Sequence, residues 1–176
     1  MATEEKKKTA AKKTVKKKEP TGQKKYRVKA DLDQHMLVTV TNGFAGKLYY
    51  RSRRTGEEYE WQEFGDEQDM ELSELKNARN SAKDFFERNY FMIDDPEVIE
   101  YLNAKQYYDA ALSVEEFDEL FEKTPKEITQ TVEGLSRGQK NTLKYHAKEK
   151  IANGEVDSIK VIDALEKSLG VQLIER

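Results

Sequence analysis

The sequence predicts an α+β protein: a small antiparallel β-sheet packed by a helix, followed by a C-terminal bundle of short helices. Three observations carry this. Two-residue alternation begins at residue 35 and marks "HMLVTVTN", "KLYYRSR" and "EYEWQEF". Apolar spacings of three and four begin at Leu75 and persist to the end. Helix-start signals recur from Asp95 onward. Sheet first and helices afterwards is the ordering of an α+β chain, not of an alternating α/β one.

Residues 1–25, "MATEEKKKTAAKKTVKKKEPTGQKK", form the first of three expected regions. After Met1, Val15 is their only large aliphatic residue, and chain entropy has no apolar burial to offset it, so a disordered basic tail is expected. Lys6, Lys7, Lys8, Lys12, Lys13, Lys16, Lys17, Lys18, Lys24 and Lys25 give it a charge of about +7. The whole chain carries −3, which leaves about −10 on the remainder. A cationic tail on an acidic body is either a solubilising extension or an electrostatic tether to nucleic acid or to an acidic surface.

Residues 26–93 are expected to form the α+β domain. Alternation puts Met36, Val38 and Val40 on one face of a first strand, and Asn42-Gly43 marks a turn or loop. In the second strand Leu48 and Tyr50 oppose Tyr49 and Arg51. Arg54-Thr55-Gly56-Glu57 is the turn of a hairpin, with Gly56 available for a positive φ. The return strand places Tyr59 and Trp61 together. "QDMEL" is a fourth short strand, with Met70 and Leu72 inward. Ser73 then reads as the N-cap of one helix bearing Leu75, Ala78, Ala82, Phe85, Phe86 and Tyr90, and the Phe85–Phe86 stripe is expected to join sheet and bundle.

Residues 94–176 are expected to be the helical bundle. Asp95-Pro96 is an N-cap followed by proline at the first helical position, before Val98, Ile99 and Leu102. Ser113 with Glu116, Thr124 with Glu127, and Ser136 with Gln139 each have capping-box spacing ahead of an apolar stripe. Asn153-Gly154 and Gly170 are stops, and Asp157 or Ser158 starts the last helix. "VQLIE" follows as a short extended tail.

Chemistry has few candidates. The absence of cysteine excludes thiolate metal sites, thiol nucleophiles and disulfides. Neither His35 nor His146 has metal-ligand spacing, and His146 is expected at a helix surface. Glycine-rich phosphate loops and nucleophile elbows are missing, and "GDEQD" lacks the EF-hand spacing for calcium. The acidic clusters read as solvated surface or helix caps. No enzymatic activity and no cofactor is therefore expected. No apolar run approaches the ~20 residues of a membrane span.

The candidate contact residues lie in "YYRSRRTGEEYEW": Tyr49, Arg51, Arg53, Arg54, Tyr59 and Trp61. Three arginines could meet phosphates, and the aromatics could stack bases. Antiparallel pairing also brings Glu57, Glu58 and Glu60 beside the arginines, which lowers the potential a phosphate site needs and favours protein contact.

The stretch "VTNGFAGKLYYRSRRTGEEYEWQEFGDEQDMELSELKNARNSAKDFFERNY" resembles small proteins encoded by tailed bacteriophages and prophages of low-GC Gram-positive bacteria. It carries a "Y.S.RTG..Y.W..FG" hairpin and an "EL.N.RNS...FF" helix, and "KEKIANGEVDSIKVIDALEKSLGV" ends in similar style. The resemblance implies a virion structural or assembly role through protein–protein contacts, in the virion or the host cytoplasm. It assigns no active site. The class-distinct alternative is a nucleic-acid-binding accessory protein using the lysine tail and Arg51, Arg53 and Arg54.

Overall fold

The computed structural model describes residues 32–175. The lysine-bearing residues 1–25, and the expectations placed on them, lie outside the described residues.

Strand β1 (Leu37–Asn42) pairs antiparallel with β4 (Glu67–Glu71), Val38 opposite Met70 and Val40 opposite Gln68. On its other edge β5 (Phe91–Met92) reaches only Thr41 and Asn42, giving the order β4-β1-β5. The alternation in β1 buries Val38 and Val40 as expected. Strands β2 (Leu48–Arg51) and β3 (Glu58–Trp61) form a separate two-stranded hairpin. One clamp between the two sheets is the indole of Trp61, whose Nε1 donates to the Val40 carbonyl at 2.9 Å. Asn42-Gly43 opens a loop rather than a tight turn. The fully buried Asn42 amide donates to the Gly46 and Glu63 carbonyls at 2.8 and 2.7 Å, so it ties the loops on either side of the hairpin together.

Helix α1 (Leu72–Ser81) follows β4 without a break. The expectation that Ser73 caps it fails for a specific reason. Glu71 holds the cap position and makes no side-chain cap bond. Orphan N–H groups are what a cap satisfies, and two of them already have partners: Leu72 donates to Met36 O at 3.0 Å and Ser73 to Gln34 O at 2.9 Å. The single helix expected through Tyr90 is also corrected. It ends at Ser81 with Ala82 as C-cap, resumes as the short α2 (Asp84–Glu87), and breaks at Asn89, whose φ is +54°. Asn89 is fully buried and its Nδ2 donates to the Tyr107 carbonyl at 2.7 Å. Phe91 and Met92 can then serve the sheet edge.

Phe91 is the hub of the first core. Its ring centroid lies 4.7–5.6 Å from those of Tyr50, Trp61, Phe85 and Phe86. Helix α3 (Pro96–Tyr101) buries Val98 in this same core, its C-cap Leu102 and the α4 N-cap Ala104 are buried there too, and α4 (Lys105–Tyr108) packs the partly buried Tyr107 and Tyr108 against it. The buried residues of the first core run to Ala104, and those of the second begin at Leu112.

The remaining helices, α5 (Val114–Leu120), α6 (Pro125–Gly134), α7 (Arg137–Ala152) and α8 (Ile159–Leu169), surround the second core of Phe117, Leu120, Ile128, Val132, Leu143, Ala147, Ile162 and Leu165. Capping boxes are present at Ser113/Glu116 and Thr124/Glu127, and Asp95 caps α3. Gly170, at φ 65°, ends α8 in the left-handed conformation. The third expected box is only half made. Ser136 Oγ accepts from Gln139 N, but the Gln139 side chain is buried and brackets Leu112, donating to its carbonyl at 2.7 Å and accepting from its N–H at 3.2 Å. In the tail, the N–H groups of Leu173 and Ile174 donate to Glu166 Oε1 at 2.7 and 3.2 Å.

The two cores meet through α7 and the loops beside β1, not through the Phe85–Phe86 stripe, which lies within the first core. Thr142 Oγ1 donates to the Gly43 carbonyl at 2.8 Å. Gly138 lets α7 approach α2 so closely that a Cβ there would fall 1.9 Å from the Arg88 carbonyl oxygen. Phe64, in the β3–β4 loop, packs on Phe117 and His146 with ring centroids 5.2 and 4.4 Å apart. His146 is thus half-buried between helices and loop, not on the open surface expected from its lysine neighbours.

Candidate partner-contact face of the hairpin

Pairing within the hairpin sets Leu48 opposite Trp61, Tyr49 opposite Glu60, Tyr50 opposite Tyr59 and Arg51 opposite Glu58. Period-two alternation then divides these residues between two faces. Leu48, Tyr50, Tyr59 and Trp61 face inward and are buried, and Trp61 is fully so. Tyr59 and Trp61, expected as contact residues, are therefore core residues. Their rings stack on each other at 6.4 Å, and the Tyr59 hydroxyl donates to Glu57 at 2.8 Å. Neither ring is available to a base.

The tip is closed by Ser52. Its N–H donates to the Glu57 carbonyl at 2.8 Å, and its Oγ accepts from the N–H groups of Arg54 and Thr55 at 3.1 and 3.0 Å. Gly56 takes φ 79°, the left-handed geometry anticipated for it.

The three arginines have separate fates. Arg54 folds back against α1, its Nη2 3.3 Å from both Ser73 Oγ and Glu74 Oε2. Arg51 lies across from Glu58, Nε to Oε1 at 3.7 Å, with both side chains exposed. Arg53 projects from the tip with no ion pair or hydrogen bond among the described residues. Glu60 is paired not with an arginine but with Lys47.

Glu74 is the anchor beneath the tip, and the sequence reading missed it. Its carboxylate is buried and accepts from the Tyr50 hydroxyl at 2.7 Å, Asn77 Nδ2 at 2.9 Å and Arg54. Burial alone would push its pKa up, but hydrogen bonds from Asn77, Tyr50, Ser52 and Arg54 outweigh that and hold it below the usual glutamate value. Burial, and then Glu74 itself, push the Tyr50 hydroxyl far above the usual tyrosine range. A signal was present: an inward tyrosine needs a partner for its hydroxyl, and Glu74 is an acidic residue in the first turn of α1.

The outer face carries Tyr49, half exposed at 49%, with Arg51, Glu58 and Glu60 around it and Lys47 paired to Glu60. A hydrogen bond with Glu58 raises the pKa of the Tyr49 hydroxyl. This is an aromatic platform inside a ring of alternating charge. It offers apolar area with a polar rim, whereas a phosphate chain would meet as many carboxylates as cations.

Asp66, in the "GDEQD" stretch, spends its carboxylate on the turn, accepting from the N–H groups of Gln62 and Glu63 at 2.7 and 3.1 Å. Among the described residues no group of three or more histidines or carboxylates is placed to hold a metal. No helix among them is long and apolar enough to cross a membrane.

No family model, curated protein or solved structure matches the chain.

Proposed function

We propose that this chain is a non-enzymatic structural or assembly component of a tailed-phage particle, acting through protein–protein contacts. The observation that supports contact is the outer hairpin face. Tyr49 stands half exposed among paired opposite charges, on a hairpin held to α1 by the Arg54–Glu74 bond. A rigid aromatic in a polar rim is the composition of a protein-binding hot spot, because ordering it costs little side-chain entropy. The phage assignment rests on the resemblance of the hairpin and helix stretches. The alternative, a nucleic-acid-binding accessory protein, draws on Arg53, which is unpaired among the described residues, and on the lysine tail.

The test is particle composition. Particles purified from hosts carrying the intact gene should contain the chain at a fixed ratio, and Tyr49→Ala should lower that ratio without lowering the melting temperature. Complete, infectious particles that never contain the chain, and that form equally well when its gene is deleted, would overturn the assembly reading.

A further inference from the structure

Strand β1 has a flank left open among the described residues. The bonds from Leu72 N to Met36 O (3.0 Å) and from Asn42 N to Asp66 O (2.8 Å) fix the phase of its ladder with β4. Met36, Val38, Val40 and Asn42 turn their N–H and C=O groups toward β4, so Leu37, Thr39, Thr41 and Gly43 turn theirs away. Strand β5 meets Thr41 through Met92, and Gly43 N donates to Tyr90 O at 2.9 Å. In that register Asp94 would stand opposite Thr39, but there the chain leaves for the Asp95 cap of α3. Leu37 and Thr39 thus present backbone donors and acceptors with no partner strand among the described residues, and the Leu37 side chain is 64% exposed.

A groove of about 440 Å³ runs along this flank. Its lining includes Met36, Leu37 and Thr39 of this segment, Glu67 from β4, and Asp94 and Asp95. Among the described residues its lining holds no lysine or arginine. Glu67 and Asp94 have no ion pair or hydrogen-bond partner for their carboxylates among the described residues. An unpaired edge beside an exposed leucine recruits another strand, and the carboxylates specify a cationic one.

We infer that the open flank of β1 accepts an extended lysine-bearing strand, and that residues 12–18 of the same chain, "KKTVKKK", supply it. This does not depend on the assembly reading. The segment matches the groove in both respects: β-branched Thr14 and Val15 suit a strand, and five lysines flank them. The connection from residue 19 to residue 36 has a coil span of roughly 25 Å, ample to return to the adjoining strand. Tethering at that length gives an effective concentration on the order of millimolar, which favours the strand of the same chain over that of a second copy.

The test is amide hydrogen exchange on the full chain. Leu37 and Thr39 should exchange roughly tenfold or more slowly than unpaired amides, independently of protein concentration, and faster at high salt. Changing Lys12, Lys13, Lys16, Lys17 and Lys18 to Glu should release both amides. Glu67→Lys with Asp94→Lys should do the same, and combining the two charge reversals should restore protection. Val38 and Val40, bonded to β4, should stay protected throughout. If the groove variant unfolds, the tail variant decides alone, since it alters none of the described residues. Equal exchange at Leu37 and Thr39 in wild type and tail variant would overturn the inference. So would protection that rises with protein concentration, which would assign the flank to a second copy.

Discussion

The guanidinium of Arg54 lies 3.3 Å from the carboxylate of Glu74, with the arginine half exposed and the glutamate almost wholly buried. This asymmetry decides what the bond does. Arg54 can return to water if its partner is removed. Glu74 cannot, and it also carries the Tyr50 hydroxyl.

Glu74→Ala should therefore destabilise the protein by about 1–3 kcal/mol, chiefly by leaving Tyr50 and Asn77 without their acceptor. Arg54→Ala should cost less, because its half-exposed charge is screened by solvent. The sign of the acid dependence follows from the depressed Glu74 pKa. Stability from this group is fully present above the unfolded-state value near 4.5 and is lost as pH falls through the lower folded value. Denaturant melts at pH 7 and pH 3 measure this. The loss of stability between them should be smaller in Glu74→Gln than in wild type, and an unchanged loss would remove Glu74 from the account.

Local patterns in the chain read through to the fold where their physics is local. The alternation of β1 and the hairpin, the Asp95 cap, both capping boxes and the Gly170 stop all depend on residues within a few positions of each other, and each is present. The failures are long-range. Ser73 looks like a cap until Gln34 and Met36 supply the acceptors. Gln139 looks like the far half of a capping box until Leu112, 27 residues away, takes its amide. Phe91 and Met92 read as the end of a helix until β1 offers an edge. The hairpin aromatics were ambiguous for a related reason, since strand periodicity shows which residues share a face but not which face is covered. Trp61 and Tyr59 went to the core because the hairpin packs its inner face on β1 and Phe91.

His146 gives a second, separate acid transition. Burial between Phe64 and Phe117 lowers its pKa, only partly opposed by Glu149 and Asp118, while Lys150 lowers it further. A histidine depressed in the fold binds its proton more readily when unfolded, so stability falls as pH drops below about 6.5 toward the folded value. His146→Gln should flatten the stability profile between pH 7 and 5 and leave the lower transition of Glu74 in place. Nuclear magnetic resonance titration of the imidazole should give a midpoint below 6.5. A midpoint above it would mean that the carboxylates, not the rings, set the charge.

The join between the cores is testable at Gly138. An added methyl would meet the Arg88 carbonyl oxygen, which is backbone and cannot swing aside. Gly138→Ala should cost about 1–3 kcal/mol through overpacking, despite the better helix propensity of alanine. Phe86→Ala, wholly within the first core, should cost about 3–5 kcal/mol. Urea melts followed separately by Trp61 fluorescence and by far-ultraviolet circular dichroism also read the coupling. Coincident curves in wild type that separate in Gly138→Ala would show that this contact makes the two cores unfold together, and separation in wild type would show that it does not.

The last prediction concerns polyanions. Of the hairpin arginines, Arg54 is committed to Glu74, Arg51 faces Glu58, and only Arg53 is unpaired among the described residues. Each phosphate contact contributes about 0.9 to the slope of log affinity against log salt on duplex DNA. One free arginine therefore supplies a slope near 1, whereas the ten lysines of residues 1–25 can supply several times that. Arg51→Ala with Arg53→Ala should leave any DNA or RNA affinity and its salt slope nearly unchanged. Arg54 is left intact in that variant because its loss would disturb the tip. Replacing the ten lysines with glutamine in the full chain should remove most of both. The measurement is fluorescence anisotropy with duplex and single-stranded oligonucleotides from about 50 to 200 mM salt. Tight, steeply salt-dependent binding that survives loss of the lysines and vanishes with the two arginines would make the hairpin a nucleic-acid finger, and the accessory-protein reading would then displace the assembly one.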